Sequence, residues 1–69
     1  MIKTTEKAAR KLGEDLATEL HAQTSIELRS GVLAARGVIL YNLEYKTQTA
    51  FYAGFDSKMD ELEPLSLPR

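Results

Sequence analysis

His21 is the only imidazole in a chain of 69 residues that has no cysteine, and Thr18, Thr24 and Ser25 stand close to it in sequence. Nucleophilic catalysis would use one of these hydroxyls with the imidazole as base. It would also need a group to orient the base and donors for the oxyanion, and no such motif accompanies His21. The expected role is an exposed imidazole near a helix end, where positive charge suits the helix dipole. Asp15 and Glu19, four apart, have the spacing to hold a divalent cation on one helical face; a solvated acidic face is the simpler reading. The run from Gly31 to Gly37 lacks the Lys-Ser/Thr of a phosphate loop. The chain therefore reads as non-enzymatic, with no metal and no cofactor.

Binding is the chemistry that these residue types support better. Tyr41, Tyr45 and Tyr52 fall on one side of a helix drawn through them, and tyrosine joins a large apolar ring to a hydrogen-bonding hydroxyl. Their rings are expected to pack on the first helix, across a dimer, or on a partner. Arg29 and Arg36, seven apart, are placed to bind a carboxylate, either on a partner or within the chain. Leu33 and Leu40 continue the same spacing as apolar candidates for an interface. Lys3, Lys7 and Arg10 line one helical face with Lys11 beside them, a candidate nucleic-acid face. Glu6 and Glu14 flank that stripe, the net charge is −1, and no glycine-bearing helix-turn-helix is recognisable. Nucleic acid is therefore the less favoured partner.

Helices must position these groups. Ile2, Ala9, Leu12, Leu16 and Leu20 predict an amphipathic helix over 2–22, with Gly13 as its weak point. Thr24 and Glu27 form the pattern of a capping box, opening a long central helix. Its stripes, Ile26-Leu33-Leu40-Thr47, Leu28-Val32-Ala35-Ile39-Leu43 and Val38-Tyr41-Tyr45-Tyr52, cover the whole circumference. A helix apolar all round must be surrounded, and one short helix cannot surround it. A strand over 38–49 is the alternative, because Ile39 to Gln48 alternate apolar and polar. The absence of a hairpin turn and the helix-favouring Ala34-Ala35 argue against it. Residues 50–63 return to helix, with Phe51, Phe55, Met59 and Leu62 on one face. Gly54 is a possible interruption, with Asp56 or Ser57 as a fresh cap. Pro64 ends the helix.

A single domain over 1–63 with an extended tail at 64–69 follows. A domain this small is marginal alone, and the usual remedies are disulfides, metal or oligomerisation; only the last fits this composition. Charge is segregated along the chain: residues 1–11 are basic, 12–23 acidic and 56–63 acidic, a pattern that suits helix docking. No signal-like or membrane-spanning stretch is visible, so a cytoplasmic location is expected.

The expected fold is all-α: a helical hairpin in which the first helix packs back on a long central helix, with two copies forming a homodimeric bundle. The expected function is a small non-catalytic interaction module that binds and modulates or inhibits another protein. Short chains of this type are often encoded by phages and mobile elements against a host regulator or defence complex. A small dimeric DNA-binding regulator or antitoxin, and a structural subunit of a larger assembly, are the alternatives. An aspartate at Leu40 is expected to dissociate or unfold the dimer.

Overall fold

Thr5 starts the first helix: its hydroxyl accepts the Ala8 N–H at 3.0 Å, which satisfies a donor that the helix leaves orphaned. In the computed structural model, which describes residues 3–64, the chain forms three helices: α1 Glu6–Ala22, α2 Ile26–Asn42 and α3 Tyr45–Leu62. No strand occurs among the described residues. The strand considered for 38–49 is therefore replaced by the end of α2, a two-residue link at Leu43 and Glu44, and the start of α3. Ile2 and the tail beyond Pro64 lie outside the described residues.

The central helix is not the long one expected. It has 17 residues, against 17 in α1 and 18 in α3. No glycine or proline marks either joint. Instead, a side chain from the following helix satisfies the last carbonyls of the one before. Arg29 donates from Nη1 to the carbonyls of Leu20 at 3.1 Å and Gln23 at 3.2 Å. Gln48 donates from Nε2 to those of Leu40 at 2.7 Å and Leu43 at 3.2 Å. The capping box of Thr24 and Glu27 does not form: Ser25 is the N-cap of α2, and no side chain caps it.

Nor does α1 pack chiefly on α2. Its main partner is α3, and the two run in the same direction. Gly13 lies against Phe51 and Phe55, Gly54 lies against Arg10, and His21 reaches Glu63. α2 is the return segment, antiparallel to both. At the crossing of α1 and α3 the backbones touch. A Cβ on Gly13 would meet the carbonyl oxygen of Phe51 and lie 2.9 Å from the Phe55 nitrogen; one on Gly54 would meet the Arg10 carbonyl.

This close approach decides which face of α1 turns inward. Ala9, Gly13, Ala17 and Leu20 are buried, whereas Leu12 is 40% exposed. The smallest residues face α3, not the row richest in leucine. Opposite them lie Thr47, Phe51, Gly54 and Phe55, with Leu43 closing the core from the link. Phe51 is fully buried and its ring runs nearly parallel to that of Phe55, centroids 6.4 Å apart. α3 passes through Gly54 without interruption. None of the described helices is long and apolar enough to cross a membrane.

Candidate functional site

α2 contributes no buried residue. Val32, Ile39 and Leu40 only lean on the core that α1 and α3 make. The helix also turns its charge the wrong way for a surface helix. Arg36 is the one charged residue between Ser30 and Leu43, and it faces inward, with its guanidinium 5.0 Å from the centroid of the Phe55 ring. That distance suits a cation–π contact. Arg29 also faces inward. Its two terminal nitrogens donate to the two oxygens of Glu63, each at 3.3 Å.

What remains outward is mostly apolar, with Glu27 in the first turn as its one charge. At about 100° per residue, Ser30, Gly31, Ala34, Val38 and Tyr41 gather opposite the inward row of Val32, Arg36 and Ile39. Val38 is 63% exposed and Tyr41 87%. Ile26, Leu28 and Leu33 are exposed along the flanks, and Tyr45, 83% exposed, stands just past the link. An added Cβ on Gly31 or Gly37 would find nothing within 4 Å, in contrast to the crowded Gly13 and Gly54. An exposed apolar surface of this extent is unusual on a lone chain.

The residues singled out from sequence divide accordingly. Leu33, Tyr41 and Tyr45 are open to solvent. Tyr52 is half open, its ring edge-on to Phe51 at 6.4 Å. Leu40 packs against the core of its own chain, and Arg29 and Arg36 are engaged within it. The break at Leu43 also separates Tyr41, on α2, from Tyr45 and Tyr52, on α3. Val38 stands out in the sequence only as a neighbour of the tyrosines. The charge-free run on either side of Arg36 is the signal that would have found its face.

His21 does not form a catalytic pair with a nearby hydroxyl. Its Nδ1 lies 2.9 Å from a Glu63 oxygen, while the Thr18 hydroxyl donates to the Glu14 carbonyl at 3.0 Å. Hydrogen bonds from Arg29, and next from His21, hold the Glu63 carboxyl below its ordinary pKa. Sequence reasoning counted Glu63 only as part of an acidic run. Asp15 pairs with Lys11 at 3.5 Å, and Glu19 accepts a hydrogen bond from Gln23 at 2.9 Å.

The parallel course of α1 and α3 makes the molecule electrically two-ended. Both helix N-termini, with their positive dipole ends, lie at the end that carries Lys7, Arg10 and Lys46. There Lys7, Arg10 and Lys46 border an open cleft of about 420 Å³ floored by Ala50 and Ala53, with Glu6 on the rim. Arg10 also pairs loosely with Glu14 at 3.8 Å. Lys3 precedes the Thr5 cap, so it stands beside this cluster in sequence but outside the helix. The opposite end carries both C-termini with Glu19, Asp60, Glu61 and Glu63.

No protein-family model, no curated protein and no solved structure matches the chain.

Proposed function

We propose that the protein is a non-catalytic interaction module that works as a homodimer and binds, and thereby modulates or inhibits, another protein. The observation that supports this reading is α2, a helix that buries no residue in its own chain and presents to water a largely apolar face with Glu27 as its one charge. Covering that face removes apolar side chains from water at about 25 cal/mol per Å². A second copy covers α2, which leaves Tyr45 and Tyr52 at the margin for a partner. An inhibitor of a host regulator or defence complex, carried by a phage or mobile element, is the role proposed for a chain this short.

Affinity capture from nuclease-treated lysate tests the partner. Recovery of one protein in stoichiometric amount with the wild type, but not with Tyr45→Ser/Tyr52→Ser, supports the reading. Recovery of the bait alone, or equal recovery with both, counts against it.

The basic end favours a second reading, a DNA-binding regulator, because two helix N-termini and three cations share one cleft. It requires binding that weakens steeply with salt and is lost when Lys3, Lys7 and Arg10 become glutamine.

A further inference from the structure

We propose that the open cleft between α1 and α3 is a docking groove for an acidic helix of a partner protein. This rests on the interaction module proposed above and names the chemistry of its partner. None of the residues that line the cleft belongs to α2. Residues three or four apart stack along a helix, so Lys7 and Arg10 form a wall on α1, while Lys46, Ala50 and Ala53 run along α3 for about two turns. Ala50 is half-buried and Ala53 exposed, and their methyl groups leave the floor apolar and unfilled. At about 100° per residue, Tyr45, Thr49 and Tyr52 make the next row outward on α3. Tyr45 is 83% and Tyr52 44% exposed, so the groove and these two tyrosines form one continuous surface.

Charge and shape select the occupant. Three cations share the cleft with one carboxylate, that of Glu6. Among the described residues, Lys7 and Lys46 have no ion-pair partner, and Arg10 holds Glu14 only at 3.8 Å. Acidic side chains complement them. Beyond their first turns, the backbone groups of α1 and α3 bond within their own helices, so the groove offers no ladder to an extended strand. A helix satisfies its own backbone and can lay small apolar side chains on Ala50 and Ala53 while carboxylates flank them. Nucleic acid fits less well. The cleft is concave and cannot enter a duplex groove, none of the described residues lining it is aromatic to stack a base, and Glu6 repels phosphate.

Nuclear magnetic resonance titration of the isotope-labelled full chain tests this. The probe is a synthetic peptide of about five helical turns, with alanine and leucine on one face and glutamate along the flanks of that face. It is expected to move the amide signals of Lys7, Arg10, Lys46, Ala50 and Ala53. Affinity is expected to fall at least about tenfold both in Lys7→Glu/Lys46→Glu and in Ala53→Trp, which fills the floor without changing the charge. All three positions are exposed, so both variants keep the fold. Binding that survives Ala53→Trp is ionic attraction without a groove and overturns the proposal. A peptide that moves no signals, or only those elsewhere, overturns it too. Oligothymidylate that moves the same signals at lower concentration than the peptide overturns it in favour of nucleic acid. Lysate capture of a protein that is lost in Tyr45→Ser/Tyr52→Ser but unchanged in Lys7→Glu/Lys46→Glu overturns the groove and leaves the interaction module standing.

Discussion

Arg29 and Glu63 lie 34 residues apart, yet their side chains meet in a two-pronged ion pair with both N–O distances at 3.3 Å. The same guanidinium serves the carbonyls of Leu20 and Gln23, so one side chain ties together the end of α1, the start of α2 and the end of α3. The joint between α1 and α2 is thus built from the polar contacts of one arginine and not from a turn-forming residue.

Removal of that tie is expected to be felt. Arg29→Ala takes the donor from the Gln23 carbonyl and one of two partners from both the Leu20 carbonyl and the Glu63 carboxylate, and should lower stability by about 1–2 kcal/mol. Glu63→Gln keeps the carbonyl contacts and should cost less than Arg29→Ala, since the carboxylate is solvent-accessible. Thermal unfolding followed by circular dichroism separates the two. Equal losses would contradict the role given to the Leu20 and Gln23 contacts.

The same carboxylate predicts a pH dependence. Its pKa is lowered in the folded chain, first by Arg29 and then by His21. The stability it contributes is therefore present above the ordinary value of 4.5 and lost as pH falls through the lowered folded value. The wild type should lose more stability than Glu63→Gln across that acid window. Parallel stability–pH curves for the two proteins would rule this out.

The four glycines should behave as two pairs. In free helices, alanine in place of glycine gains about 1 kcal/mol. At Gly13 and Gly54 the new methyl runs into backbone, and overpacking there should outweigh the gain, leaving a net loss of about 1–3 kcal/mol. At Gly31 and Gly37 the space is open within one chain. Alanine there should stabilise the folded chain by up to about 1 kcal/mol. Denaturant titrations of the four variants read both effects.

Why the sequence disclosed some of this and hid the rest can be seen at particular residues. Phe51, Phe55 and Met59 share a face in any helical drawing, and they do pack together. The over-apolar character of α2 is equally plain, because burial within one short chain cannot satisfy it. Gly13 misled, since its intrinsic cost is local whereas its benefit depends on Phe51 and Phe55 approaching from α3. Leu12 misled for the same reason. The break at Leu43 was hidden because Gln48, not a glycine or proline, makes it. Tyr41, Tyr45 and Tyr52 then fell on a continuous helix that does not exist. The inward turn of Arg36 was beyond a pattern that treats arginine as a surface residue.

Leu40 and Val38 give contrasting probes. Leu40 leans on the core of its own chain, so Leu40→Asp should unfold the protein as well as dissociate it. Val38 is exposed, so Val38→Asp should preserve the helical circular dichroism of the chain and abolish self-association. A Val38→Asp variant that unfolds even when dilute would show that the fold of each copy depends on the other.

The central claim, that a second copy covers α2, is tested most directly by sedimentation equilibrium of the wild type and Val38→Asp across micromolar concentrations. The account predicts a wild-type mass of twice 7.7 kDa and a folded Val38→Asp monomer. A wild type that remains folded at 7.7 kDa throughout would contradict it.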